Sequence, residues 1–256
     1  MVSVGKETGH SKGGSVMFQH YNVVLVVLSY AISVFGSFTG LTLAAKIPEA
    51  SGSRRTALMV GAAISLGGAA IWAMHFVAML AYDIPGMRAS YNVGMTVESL
   101  LLAIAGTGIG VVIISGGEGW GRLLAGGTVT GLSVAAMHYL GMAAMNVPAT
   151  KEYNVGLVAL SVVIAVVAAT AAFWLMQHAR TVAHRVGSAL LMGVAVCGMH
   201  YTGMAALTLV PLATAPSGYI PSSMNAISVA TWVVSVAIIV LGVALGAEQF
   251  LVSDEA

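Results

Sequence analysis

The sequence predicts an all-α membrane protein of seven transmembrane helices, built from three repeated helical hairpins plus one closing helix. Three observations predict it. The 256 residues are 58% hydrophobic and only 7% charged, with a mean hydropathy of +0.93, a balance that suits a polytopic membrane protein and no ordinary soluble domain. Seven stretches are apolar over the roughly 20 residues that a bilayer core demands. A Met-His-aromatic phrase recurs inside three of them, with histidines at 75, 138 and 200.

The elements follow in order. Residues 1–20 are polar and rich in Gly and Ser, a flexible tail with no cleavable signal peptide, so the first span inserts as an uncleaved anchor. The membrane domain covers 21–248, with spans at about 22–45, 57–81, 95–115, 121–146, 155–177, 186–209 and 225–246. A short C-terminal tail, 249–256, ends the chain. The connections carry turn chemistry at Pro48 and Gly52, Pro85-Gly86, Gly116-Gly117, Pro148, and Pro211 through Pro221. All are short, which leaves no room for a second soluble domain.

Positive charge favours cytoplasmic loops. With the N-terminus outside, the inner loops hold Lys46, Arg54, Arg55, Arg122, Arg180 and Arg185, and the outer segments hold Lys6, Lys12, Arg88 and Lys151. The bias predicts N-terminus out and C-terminus in. The second, fourth and sixth spans then run outward, and His75 lies roughly 8–10 Å below the outer end of its helix, with His138 and His200 at similar depth. The net charge of +1 and the scattered cations give no case for nucleic acid; the partner is the lipid bilayer.

The repeat is larger than the phrase. Tyr21-Asn22-Val23, Tyr91-Asn92-Val93 and Tyr153-Asn154-Val155 open the first, third and fifth spans, with Ser29, Ser99 and Ser161 seven residues after each Asn. Met224-Asn225 is a weaker echo before the last span. The unit is a hairpin of about 62 residues, as befits a membrane fold built around a shared site. Gly68, Gly131 and Gly193 each precede a motif histidine by seven residues. Two helical turns put glycine and histidine on one face, a close-packing seam in lipid.

A histidine inside a span is costly and needs a partner, so three at equal depth point to one site. His75 with Met79, His138 with Met142 and His200 with Met204 are four apart, which stacks imidazole and thioether on one helix face. Met74, Met137 and Met199 point about 100° away. Thioether and imidazole together suit copper. Cys197 is the only cysteine, which disfavours zinc, and Asp83 and Glu98 are too few for magnesium or calcium. Haem fits less well, because bis-imidazole ligation opposes two histidines across a porphyrin. A retinal pigment is disfavoured because the seventh span has no lysine. Packing seams remain the plain alternative for the histidines.

Other residues carry weaker signals. His20 reads as interfacial, with a fourth ligand or gate as the alternative. His178 and His184 flank an inner loop and suit lipid head groups. Glu98 falls in the first turn of the third span, where the helix dipole favours it. Trp72, Trp120, Trp174 and Trp232 read as interfacial or packing aromatics.

Met199-His200-Tyr201-Thr202 spells the signature of the MHYT family, a bacterial seven-span sensor module. Met137-His138-Tyr139-Leu140 and Met74-His75-Phe76-Val77 are its imperfect copies, and the resemblance covers about residues 20–246. It implies copper held near the outer face of a bacterial cell membrane by Met74, His75, Met79, Met137, His138, Met142, Met199, His200 and Met204. It implies sensing of oxygen, carbon monoxide or nitric oxide, with output through a cytoplasmic signalling protein. Phe76, Val77 and Leu140 depart from the signature, so any hydroxyl acting on a bound ligand comes from Tyr139, Tyr201 or Thr202. Three readings stand: a sensor, a copper-dependent membrane oxidoreductase, and a copper-handling membrane protein.

Overall fold

The computed structural model describes residues 20–84, 89–212 and 223–253. The tail before His20 and the turn at Pro85-Gly86 lie outside them, as do residues 213–222. Among the described residues seven long helices form: α1 (Val23–Ala44), α2 (Gly52–Ala81), α3 (Val93–Ser115), α4 (Trp120–Ala144), α5 (Val155–His178), α6 (Val182–Ala205) and α7 (Ala226–Ser253). Among the described residues, α1 to α6 are long and apolar enough to cross a membrane, and the apolar stretch of α7 is Ser228–Val240. The chain is a multi-span membrane protein. Helix α7 runs through residue 248 to Ser253.

The Tyr-Asn repeat starts helices. Asn22 Oδ1 accepts from the backbone N–H of Val24 (3.0 Å) and Leu25 (3.2 Å). Asn92 accepts from Met95 (3.0 Å), Asn154 from Leu157 (3.1 Å) and Asn225 from Ser228 (2.9 Å). Each is an N-cap that satisfies donors the first turn leaves open, a contribution of about 1 kcal/mol.

Antiparallel ribbons tie each opening helix to its motif helix. Strand β1 (His20–Tyr21) pairs with β2 (Tyr82–Asp83), β3 (Ser90–Asn92) with β4 (Met145–Asn146), and β5 (Ala149–Tyr153) with β6 (Leu207–Pro211). A further strand, β7 (Ser223–Met224), pairs with the other edge of β3. The ribbons sit at the end of the bundle where α2, α4 and α6 finish. Tight turns join the helices at the opposite end, where Arg55 Nη2 donates to Ser115 O (2.6 Å) and Arg122 Nη1 to Ile113 O (3.3 Å) at the end of α3.

Helices α1 to α6 close into a ring in chain order, with α6 back against α1. Helix α7 stands outside it against α2. Val229, Val233, Val236 and Val240, spaced as one helical face, join Trp72 and Phe76 in the core. Helix α2 is therefore covered on every side: 78% of its central window is buried, against 17–50% for the other five.

The ring repeats through glycine seams, with one exception. A Cβ on Gly131 would lie 2.7 Å from Val166 N on α5, and one on Gly193 2.8 Å from Val34 Cγ2 on α1. In α2 the expected seam residue, Gly68, would meet Val236 of α7 at an ordinary 3.4 Å. Its neighbour Gly67 takes the seam, with a Cβ 2.6 Å from Ala103 O on α3. The cause is local: Ile64–Ala73 is π-helix. The wider turn advances fewer degrees per residue, so a seven-residue spacing no longer returns to one face.

Candidate metal centre

The three motif histidines meet. His75 Nδ1 lies 3.0 Å from His200 Nδ1 and 3.1 Å from His138 Nδ1. Each pair of rings has centroids 4.9–5.0 Å apart at 78–89°, a three-bladed propeller. All three are buried, at 0–1% exposure. His75 stands six residues before the end of α2, His138 six before the end of α4 and His200 five before the end of α6, which sets their common depth.

Three identical nitrogens at this separation cannot all present lone pairs to one another. They need a shared proton or a cation. Imidazole bonds of about 2.0–2.1 Å to a tetrahedral ion place nitrogens about 3.3–3.4 Å apart, so the observed spacing needs a few tenths of an ångström of expansion. The donor set therefore fits a small metal ion, with all three Nδ1 inward. Each Nε2 is buried without a protein partner.

Two glycines that the sequence reading passed over make room for the rings. A Cβ on Gly141 of α4 would lie 2.9 Å from His75 Cδ2 and nearer still to Nε2. A Cβ on Gly203 of α6 would lie 2.8 Å from His138 Cδ2, again nearer to Nε2. His75 and His138 thus each seat on the next motif helix, three residues past that helix's own histidine. Ala78 holds the same register position in α2.

An aromatic collar surrounds the triad. Phe76, Tyr139 and Tyr201 each stand edge-on to the preceding histidine at 4.9 Å. Each also meets the tyrosine before an N-cap: Phe76 with Tyr91 (5.8 Å), Tyr139 with Tyr153 (6.0 Å) and Tyr201 with Tyr21 (5.5 Å). The Tyr of the Tyr-Asn repeat is therefore a packing partner, while its Asn is the cap. The repeated serines share a role too. Ser29, Ser99 and Ser161 donate to the carbonyls of Val26, Thr96 and Val158, each at 2.7 Å.

Two of the three hydroxyls expected to face a bound ligand are engaged elsewhere. Tyr139 Oη is 2.6 Å from Ser161 Oγ, and because Ser161 donates to Val158, Tyr139 is the donor. Thr202 donates to Gly198 O within its own helix at 2.7 Å. Tyr201 lies beside Ser29 without closing a hydrogen bond.

Met74, Met79, Met137, Met142, Met199 and Met204 are all buried, at 0–2% exposure. Met199 also lines an apolar cavity of about 50 Å³. Ile71, Val134 and Val196, each four residues before a motif histidine, line it as well, so it lies one helical turn beneath the triad. Ser37 and Thr107, each fifteen residues past a capping Asn, contribute buried hydroxyls without a protein partner.

The residues with weaker signals take the following places. His20 pairs through its backbone with Asp83. Glu98 is the sixth residue of α3 and exposed, beyond the first turn, because the Asn92 cap starts the helix at Val93. His178 stacks on Trp174 at 4.4 Å. Trp72 is fully buried rather than interfacial, because α7 covers its helix. Lys151 donates to the carbonyls of Met142 (2.7 Å), Ala143 (3.3 Å) and Met145 (2.5 Å), capping the helix of His138. Burial lowers its pKa to about 8.

The family profile named MHYT, described as a bacterial signalling protein N-terminal repeat, matches residues 68–127, 131–189 and 193–253. The chain belongs to the MHYT family. The matched units begin at Gly68, Gly131 and Gly193, so each joins a motif segment to the opening helix that follows it. In the first two units those are the partners that the close seams bring together, whereas the third joins α6 to α7 while the Gly193 seam runs to α1. The MHYT chain is 39% identical over 197 residues to MucR of Pseudomonas aeruginosa, a bifunctional diguanylate cyclase/cyclic di-GMP phosphodiesterase, covering 75% of this chain and 28% of that one. It is 37% identical over 204 residues to the cyclic di-GMP phosphodiesterase NbdA of the same organism, covering 76% and 25%. A signaling protein of Caulobacter vibrioides is 33% identical over 213 residues, covering 82% and 26%. The chain thus spans about a quarter of the length of these relatives. No solved structure matches it.

Proposed function

We propose that this chain is a membrane sensor module that holds copper on the Nδ1 atoms of His75, His138 and His200. The observation that carries the reading is the convergence of three buried imidazole nitrogens on one point. Nitrogen donors in a soft, methionine-rich shell select copper over harder ions. The thioethers of Met79, Met142 and Met204 are candidates for a fourth position, with Met74, Met137 and Met199 behind them. Bound copper would supply a coordination position for oxygen, carbon monoxide or nitric oxide. The chain's own residues seat the rings on Gly141 and Gly203, brace them with the collar, and exclude water.

The module spans the membrane seven times, N-terminus out and C-terminus in. The charge pattern supports this, since Lys46, Arg54, Arg55, Arg122, Arg180 and Arg185 share the end of the bundle opposite the triad. Ligation at the triad changes the balance between two helix arrangements only through a difference in affinity for them. That difference is read on the cytoplasmic side by a signalling domain or partner, as the cyclic di-GMP enzymes among the relatives suggest. The test is infrared spectroscopy of copper(I)-loaded protein under carbon monoxide. A metal carbonyl band that disappears in His138→Ala supports the reading. Loaded protein without such a band leaves copper handling without gas sensing, and steady turnover of a reductant with oxygen assigns an oxidoreductase instead.

A further inference from the structure

Copies two and three of the motif place a tyrosine directly after the histidine, and copy one places Phe76 there. In the second copy Tyr139 does two things at once. Its ring stands edge-on to His138 at 4.9 Å, and its hydroxyl reaches Ser161 of the next helix at 2.6 Å. The equivalent serine for copy one is Ser99. Phe76 cannot bond to it. Trp72 does: its Nε1–H donates to Ser99 Oγ at 3.0 Å and lies 3.3 Å from Thr96 O. Trp72 sits one turn before Phe76 on the same face, and the two rings have centroids 4.9 Å apart. Phe76 in turn stands 4.9 Å from His75. Ser99, Trp72, Phe76 and His75 therefore form one continuous buried chain.

We propose that Trp72 is a positioning residue for His75, taking over the hydrogen bond that a motif tyrosine makes elsewhere, while Phe76 keeps only the ring contact. The second copy agrees, because Ala135 occupies the position of Trp72 and Tyr139 serves the serine; in the third, Cys197 holds that position and stands beside Ser29. Ser99 donates its own proton to Thr96 O, so its free lone pair requires an outside donor, and the indole, which can only donate, matches that need.

The test rests on the metal reading for its main signal and carries a second signal that does not. Copper(I) affinity and thermal stability are measured on detergent-purified wild type, Trp72→Phe, Trp72→Ala and the double variant Trp72→Ala/Phe76→Tyr. The double variant rebuilds the arrangement of the second copy. Trp72→Phe should lower affinity about tenfold, the lower end of what supporting partners of metal ligands contribute. The double variant should recover most of what Trp72→Ala loses, in affinity and in melting temperature. Wild-type affinity in Trp72→Phe overturns the proposal, as does a double variant no better than Trp72→Ala. If wild type binds no metal, the metal reading fails, and the order of melting temperatures still decides the proposal.

Discussion

Gly141→Ala tests the construction of the triad with one methyl group. The new Cβ would lie 2.9 Å from His75 Cδ2 and closer still to Nε2, whereas carbon atoms rest about 3.5–4.0 Å apart. The ring must therefore retreat by about 1 Å. Overpacking of this kind costs about 1–3 kcal/mol, and replacing a helical glycine by alanine returns about 1 kcal/mol. Net stability should change little, by about 0–2 kcal/mol. Metal affinity should change much more, because a ligand bond of about 2 Å does not survive a 1 Å displacement. The expectation is a loss of at least about 100-fold in copper(I) affinity, beyond the usual effect of a supporting residue. The assay is competition against a chromophoric chelator, with thermal unfolding alongside. Gly198→Ala is the control: it lies on α6, exposed, with nothing within 4 Å of its Cβ. Wild-type affinity in Gly141→Ala would refute the proposed seating of His75.

Further expectations follow from other sites. Gly68→Ala should be neutral or stabilising by up to about 1 kcal/mol, while Gly67→Ala should cost about 1–3 kcal/mol, since a Cβ there would lie 2.6 Å from Ala103 O; equal effects in melting scans would contradict the π-helical register. Thr107→Val removes a buried hydroxyl without a protein partner and should stabilise by about 1 kcal/mol; a comparable loss on thermal unfolding would mean that the hydroxyl is hydrogen-bonded. Lys151 should titrate near pH 8, as one resonance of ¹³C-methylated lysine that Lys151→Arg removes. Its folded pKa lies below its free value of about 10.4. Folding therefore disfavours the proton, and this residue's contribution to stability rises between about pH 8 and 10.4. A resonance that titrates only above pH 10 would refute the burial argument.

Much of this was legible from residue spacing. Helix lengths follow from apolar runs, and the similar depth of His75, His138 and His200 follows from the place of each near the end of its span. Their meeting could be inferred only from repetition. Other features depend on partners far along the chain. The Tyr-Asn repeat was visible, but the division of labour was not, because Tyr21 packs on Tyr201, which is 180 residues away. Gly141 and Gly203 sit inside the motif phrase and carried no signal of their own, since their neighbours are side chains of other helices. The π-helical stretch was hidden by the assumption of 3.6 residues per turn, which placed Gly68 on the wrong face. Trp72 has no counterpart in the other copies, so repetition gave it no signal.

The most direct test of the central claim is metal content of detergent-purified protein from copper-supplied cells, wild type beside the His75→Ala/His138→Ala/His200→Ala variant. The account predicts copper in the wild type and none in the variant. Equal copper in both, or none in either, would contradict it.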